Sequence, residues 1–184
     1  MPPMVISTKY THADLLVMPD DGKRREILDG DLIVSPSPLL LHQAIVMRLI
    51  AIFVRYLDRK PVGKIFASPL DVIFSDLDVL EPDLIFVRNE NVAILQDWVR
   101  GVPDLVIEVL SPGSCSMDRG PKLKAYARFG VPEYWIVDPE ARTIEVYRQG
   151  AGGYELVLIC GQRDSVTSPL LPEFVLHVAE VFET

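Results

Sequence analysis

Two acidic residues lie in otherwise apolar, strand-like segments of this sequence. Asp83 lies in EPDLIFV, Glu108 lies in PDLVIEVL, and Lys122 follows them. An ionised carboxylate away from water is costly unless a metal ion or another cation lies beside it, so carboxylates in such segments usually serve chemistry. Two carboxylates and a lysine together indicate a metal-dependent site that cleaves phosphodiester bonds.

Each of these residues also has a simpler explanation. Asp83 follows a proline and could cap a turn, and Glu108 could form an internal salt bridge with Lys122 or Lys124 without any metal. A lone lysine on a helix is more often solvated than functional. His42, at the start of a long helix, is more often a surface or interface histidine than a catalytic residue.

Other chemistries lack their motifs. The SPGSCS loop does not form a GxSxG elbow before a helix, and the sequence contains no GxxxxGK[ST] or GxGxxG segment that would bind phosphates. The three histidines are far apart and lack zinc-ligand spacing. We therefore expect neither acyl transfer nor a nucleotide cofactor.

Length and composition indicate one folded unit. At 184 residues and 49% hydrophobic content, the chain is expected to form a single domain over residues 1–184, with residues 1–23 as an extension that contains a short helix. The long apolar stretch LLLHQAIVMRLIAIFV is interrupted by polar residues, which favours a mostly buried helix over a membrane span. Two isolated cysteines and the absence of a secretion signal favour a cytoplasmic location.

The net charge of −8 counts against a nucleic-acid partner, because proteins bind DNA mainly by neutralising its phosphates. Net charge does not describe the local field, however, and basic residues cluster at 55–64 and 119–128. A bound divalent cation would also offset the central carboxylates. DNA therefore stays a candidate substrate.

The elements that must position these residues form a mixed α/β pattern. The sequence predicts a short helix capped by Thr11, a hairpin at REILDGDLIV, a helix over 39–57 and strands at KIFASPLDVIF and LIFVR. PDLVIEVL is apolar on both faces, which predicts a central strand that carries Glu108 on a buried face. The next helix is predicted to begin at Asp118 and to end before Gly130, and three strands and a helical turn complete the chain.

Six segments, read in order, resemble the Uma-two family of restriction endonucleases, which is assigned to the PD-(D/E)XK nuclease-like superfamily. They are REILDGDLIV, PSPLLLHQ, EPDLIFVR, VPDLVIEVLSPGS, DRGPKLKAY and GVPEYWIVDP, and the resemblance covers nearly the whole chain from residue 24. It implies a restriction-endonuclease-like fold, in which helices flank a mixed central sheet and an acidic Mg²⁺-binding site lies at a strand edge.

By this resemblance Asp83 matches the Asp of the PD element and Glu108 the acidic residue of the (D/E)XK element. Leu110 stands where the superfamily has its lysine, and the Uma-two pattern places that lysine on the next helix, at Lys122. The resemblance also implies the Val109 carbonyl as a further metal ligand. Glu26 and His42 are accessory candidates.

The resulting hypothesis is a metal-dependent endonuclease that hydrolyses DNA. Asp83 and Glu108 would hold Mg²⁺ or Mn²⁺, and Lys122 would orient the attacking water or stabilise the developing charge. The alternative is a catalytically silent nuclease-like domain that binds a protein or DNA partner, which the acidic charge and the displaced lysine favour. A homodimer is expected, because one small cleft cuts only one strand of a duplex.

Overall fold

Two β-sheets contain most of the strands in the computed structural model, which describes residues 9–183. The strands are β1 (Arg24–Leu28), β2 (Asp31–Ser35), β3 (Gly63–Ala67), β4 (Val72–Ser75), β5 (Asp78–Leu80), β6 (Leu84–Arg88), β7 (Val99–Arg100), β8 (Leu105–Val109), β9 (Glu133–Asp138), β10 (Thr143–Gly150), β11 (Gly153–Cys160), β12 (Ser165–Val166) and β13 (Leu176–His177). The helices are α1 (His12–Leu16), α2 (Leu40–Arg59), α3 (Cys115–Met117), α4 (Leu123–Phe129) and α5 (Val178–Phe182), with a 3-10 helix at Asn89–Ile94 and a π-helical segment at Asp118–Lys122.

The two sheets differ in strand order. The six-stranded sheet has the order β11-β10-β9-β8-β6-β3, the five-stranded sheet has the order β2-β1-β5-β4-β7, and β12 pairs with β13 separately. Parallel and antiparallel pairs occur in both larger sheets. This is the mixed α/β architecture that the sequence predicts.

Strand β8 lies inside the six-stranded sheet, parallel to β9 and antiparallel to β6. Successive side chains of a strand point to opposite faces. Leu105 and Ile107 pack in the apolar layer that contains α2, whereas Val106 packs in the layer that contains Tyr126. The prediction of a central strand covered on both faces is confirmed, and Glu108 lies on the same face as Val106.

The predicted hairpin is present as β1 and β2. Asp29 and Gly30 join the strands with φ angles of 51° and 78°, the left-handed conformation that a two-residue hairpin turn favours. Strand β1 also pairs with β5, so the hairpin belongs to the five-stranded sheet and not to the sheet that contains β8. The sequence did not indicate this separation.

Helix α2 spans 20 residues and packs one face against the six-stranded sheet. In the sequence, its polar interruptions count against a membrane span. By length and composition alone, however, the helix is apolar enough to cross a membrane. A helix in the core of a folded protein passes the same test, and seven of its side chains are buried. The prediction of a mostly buried helix is wrong for its outer face, where Leu40, Met47 and Val54 are exposed.

The helical region after β8 begins earlier than predicted. The Asp118 amide donates to the Ser114 carbonyl (3.0 Å), so Asp118 lies inside the helical region and is not its N-cap. Pro121 has no N–H to donate, and the backbone around it widens into the π-helical segment before α4 continues. The predicted end is confirmed, because Gly130 adopts a left-handed conformation at φ 76°.

Candidate active site

A cavity of about 350 Å³ lies where the β1–β2 hairpin, the start of α2 and the end of β8 meet. The loop at 111–114 and the π-helical segment complete its wall. All six residues predicted for the site line this cavity, and two residues that the sequence analysis missed line it as well. The polar side chains concerned are Arg24, Glu26, His42, Asp83, Glu108, Asp118 and Lys122, and the Val109 backbone lies among them.

Asp83 and Glu108 lie side by side because their strands are neighbours, with Leu84 of β6 opposite Ile107 of β8. The Asp83 carboxylate accepts a hydrogen bond from the Val109 amide (2.8 Å), and the Asp83 amide donates to the Glu108 carboxylate (3.3 Å). Both carboxyl groups are buried. The structure therefore brings the two predicted carboxylates together, and the Val109 backbone touches one of them.

Lys122 is buried and points into the same cleft. Its Nζ lies 2.9 Å from Glu26 Oε1 and 3.0 Å from Glu108 Oε1, and the Tyr126 hydroxyl donates to the same Glu108 oxygen (2.9 Å). A solvated helix lysine is thus ruled out. The salt bridge that the sequence analysis offered as an alternative for Glu108 does exist, but it lies inside the cleft.

His42 also belongs to this cluster. Its Nε2 lies 3.0 Å from Asp83 Oδ2, and its side chain is buried although it lies in the first turn of α2. The interpretation of His42 as a surface histidine is therefore wrong. The first turn of α2 lies beside the start of β6, and the His42 side chain contacts Asp83 there.

Arg24 is the main residue that the sequence analysis missed. Its guanidinium lies 3.2 Å from Asp83, 3.6 Å from Glu26 and 3.9 Å from both Glu81 and Glu108, and it donates to the Glu81 carbonyl. In sequence it is one of two adjacent arginines at the start of a hairpin, a pattern typical of a surface. The available signal was the i, i+2 relation to Glu26, which puts both side chains on one face of β1.

The cleft has more carboxylates than cations. Five carboxyl groups surround Arg24 and Lys122, and burial raises the pKa of Glu108 to about 8 and that of Glu81 to about 7. Burial likewise raises the pKa of Asp118, whose Oδ1 is buried without a hydrogen-bond partner. Further positive charge in this cleft would stabilise the ionised carboxylates.

The pKa of Asp83 is shifted in the opposite direction from the raised pKa values of neighbouring carboxyl groups. Burial opposes its ionisation, but the hydrogen bond with His42 and the charge of Arg24 outweigh burial and lower its pKa below the ordinary value. Lys122 is also buried at a cost, yet the charges of Glu108 and Glu26 hold its pKa above the ordinary value. Asp83 therefore stays ionised beside the permanent charge of Arg24.

The donor set fits a hard divalent cation in its chemistry, because Mg²⁺ and Mn²⁺ prefer carboxylate and carbonyl oxygens. The excess of buried carboxylates and the Asp118 oxygen that lacks a hydrogen-bond partner support this fit. Within residues 9–183, however, no three His, Cys, Asp or Glu side chains converge as they would around a preformed metal site. The guanidinium of Arg24 lies among the carboxylates that would have to converge.

Comparison with protein families gives a match over residues 12–179 to the model of the Uma2 family, which is described as "Putative restriction endonuclease". Among solved structures, the fold is similar to a "putative nuclease belonging to DUF820" from Anabaena variabilis ATCC 29413. That similarity has a TM-score of 0.77 at 20% sequence identity and covers 94% of this chain and 97% of the other. Comparison with curated proteins gives no significant match.

Proposed function

Because the chain belongs to the Uma2 family of nuclease-like proteins, we propose that it is a metal-dependent endonuclease that hydrolyses phosphodiester bonds of DNA with Mg²⁺ or Mn²⁺. One observation carries the proposal. Asp83, immediately before β6, meets Glu108 on the neighbouring strand β8, and the buried Nζ of Lys122 lies 3.0 Å from Glu108 in the same cleft. A structural salt bridge alone does not explain a cavity lined by so many ionisable groups.

In this proposal Asp83 and Glu108 hold the cation, and the Val109 carbonyl and Glu26 support them directly or through water. The bound ion would supply a water of lowered pKa and positive charge for the phosphate oxygens. Lys122 orients the attacking water or stabilises the charge that develops on the phosphate. His42 fixes the Asp83 carboxylate through its hydrogen bond.

Cleavage of supercoiled plasmid DNA tests this function. Wild-type protein with Mg²⁺ or Mn²⁺ should convert the plasmid to nicked or linear forms, and chelation with EDTA should stop the reaction. The Asp83→Ala variant should be inactive, because it removes a ligand that lies at the centre of the cluster. Equal nicking by wild type and Asp83→Ala would show that a contaminant is responsible.

The second candidate is a catalytically silent nuclease-like domain that binds a protein or DNA partner. The observation that favours it is Arg24, whose contacts with Glu26, Asp83 and Glu108 offset part of their negative charge without any metal. Calorimetric titration with Mn²⁺ separates the two functions. The endonuclease should bind Mn²⁺ and lose this binding in Glu108→Gln, whereas a silent domain should give no binding in either protein.

We also propose that the protein acts as a homodimer, since two clefts are needed to cut both strands of a duplex in one encounter. The exposed face of α2 supports this. Large and small side chains alternate along one exposed stripe, which an antiparallel helix pair around a two-fold axis would bury on both copies. The stripe consists of Leu40, Ala44, Met47, Ala51 and Val54.

Light scattering coupled to gel filtration tests the dimer. Met47 lies at the centre of the stripe, so Met47→Glu should give monomers where the wild type gives dimers. Ile159→Glu on β11 is a matched control, because both side chains are 62% exposed. A monomeric wild type would contradict the proposed dimer, and dissociation by the control alone would move the interface to β11.

A further inference from the structure

We propose that Arg24 is an exchangeable cation of the site. It pairs with the carboxylates while no divalent ion is bound, and it pairs with a phosphate of the substrate when a divalent ion has taken its place. The inference rests on the proposed nuclease function and adds a phosphate-binding residue to it. It also makes the binding of metal and the binding of DNA cooperative.

The guanidinium holds together carboxylates from three different elements. It lies 3.2 Å from Asp83 Oδ1 and 3.9 Å from Glu108 Oε2, and its other contacts are with Glu26 and Glu81. Its Nε is buried and has no hydrogen-bond partner. Arg24 is therefore bound through charge more than through a complete set of hydrogen bonds.

A divalent cation would compete directly with these contacts. Asp83 Oδ1 and Glu108 Oε2 are the oxygen atoms that now face Arg24. A divalent ion held by these two carboxylates would use the same oxygen atoms as ligands. It would also lie within a few ångströms of the guanidinium, where like charges repel. Binding of the ion and the present position of Arg24 are thus mutually unfavourable.

Arg24 can leave more easily than the other cation of the cleft. The side chain of Lys122 is 4% exposed and enclosed by Glu26, Glu108 and Asp118, whereas that of Arg24 is 24% exposed and lies on the cavity wall. The planar guanidinium fork of an arginine matches two oxygens of a phosphate. A displaced Arg24 would therefore remain in the cleft that the DNA backbone must enter.

Opposite effects on two ligands distinguish this role from a structural one. Removal of a competing cation should tighten metal binding, so Arg24→Met should bind Mn²⁺ on the order of tenfold more tightly in calorimetric titration, a typical size for a coupling between ligands. Removal of a phosphate-binding group should weaken DNA binding by a similar factor. Fluorescence anisotropy of a labelled duplex oligonucleotide in Ca²⁺ measures the second effect.

Arg148→Met is the matched control, since Arg148 pairs with the buried carboxylate of Glu133 (2.7 Å) outside the cleft. It should change neither affinity. Arg24→Lys keeps one positive charge and is the second test variant if Arg24→Met does not fold. Because lysine still competes with the metal but lacks the fork, Arg24→Lys should bind Mn²⁺ as the wild type does and should bind DNA more weakly.

The outcomes separate this inference from the function on which it rests. A wild type that binds Mn²⁺, together with an Arg24→Met variant that binds it equally or less tightly, would overturn the exchange alone. Unchanged DNA affinity in both Arg24 variants would also overturn it. A wild type that binds no Mn²⁺ would overturn both the exchange and the proposed function.

Discussion

The Glu108 carboxyl group shows how single residues set the chemistry of this cleft. One oxygen accepts from Lys122 and Tyr126, and the other accepts from the Asp83 amide. Burial and the negative charges of Asp118 and Asp83 still raise its pKa to about 8, against the opposing charges of Lys122 and Arg24. The charge of Glu108 therefore depends on which cations are present, and Lys122 is the nearest of them.

Replacement of Lys122 by alanine should reduce the rate of DNA cleavage on the order of a hundredfold, the scale for loss of one group that stabilises charge in the transition state. The variant should also melt at a lower temperature, since Glu26 and Glu108 lose their buried partner. The rate should be measured well below that melting point. Lys124→Ala is the control, because Lys124 is exposed on the same helix, and an equal loss in both variants would contradict the role of Lys122.

Asp118→Asn should separate stability from activity. Its carboxylate is buried, and one oxygen lacks a hydrogen-bond partner in a cleft that already has an excess of negative charge. Removal of that charge should raise the free energy of unfolding by about 1 kcal/mol, while cleavage slows because Asp118 also pairs with Lys122 (3.7 Å). Urea denaturation and the plasmid assay measure the two effects. A variant less stable than the wild type would show that Asp118 serves to hold Lys122 in place.

At the scale of elements, the hairpin is the part that completes the site. Strand β1 contributes Arg24 and Glu26 to a cleft in which Asp83 and Glu108 lie on or beside β6 and β8 of the other sheet. The hairpin turn fixes the register of β1, because a slip of one residue would point both side chains away from the cleft. The conformation of that turn should therefore matter for stability.

Gly30→Ala tests the turn. Gly30 has a φ of 78°, and an added Cβ would lie 2.6 Å from the side chain of Lys9. The substitution should lower the free energy of unfolding by about 1 kcal/mol or more, measured by urea denaturation. Gly120→Ala is the control in open space within a helical segment, where it should be neutral or stabilising. Equal effects of the two substitutions would contradict the proposed importance of the turn.

Most of the elements could be predicted because each has a local signal. The Asp29–Gly30 turn, the central strand around Glu108 that is apolar on both faces and the helix end at Gly130 are all confirmed by the structure. The division into two sheets could not be predicted, since the pairing of β1 with β5 depends on residues far apart in sequence. The start of the helix at Asp118 was wrong, because a π-helical segment leaves no pattern in composition.

The residues of the candidate site could likewise be predicted only where each had a local signal in the sequence. Asp83 and Glu108 stand out as charges in apolar segments, and the lysine on the next helix could be linked to them by resemblance. Arg24 could not be found this way, because an arginine at a strand end usually lies on the surface. Its guanidinium is partly enclosed because Glu81, Asp83 and Glu108, which are far from it in sequence, surround it in the fold.

At the scale of the whole molecule, the excess of buried carboxylates predicts that a divalent cation stabilises the fold. Ligand linkage gives a gain of about 2.7 kcal/mol when free Mn²⁺ exceeds its dissociation constant a hundredfold. Thermal melting with increasing Mn²⁺ measures the gain, which should be lost in Glu108→Gln. Melting curves that coincide over a wide range of Mn²⁺ concentration would favour the catalytically silent domain.

The π-helical segment at Asp118–Lys122 has a consequence for changes in chain length. Each residue of a helix advances the chain by about 100° around the helix axis. The extra residue in the widened turn therefore fixes the angle about that axis between the side chains before the turn and those after it. Deletion of Gly120 would let the turn close to an α-helix and rotate α3 and Asp118 against Lys122 and α4. The loss of one residue could thus separate two groups of the cleft and leave each of them chemically unchanged. Homologous chains that keep this cleft should therefore tolerate substitutions at Gly120 more readily than insertions or deletions.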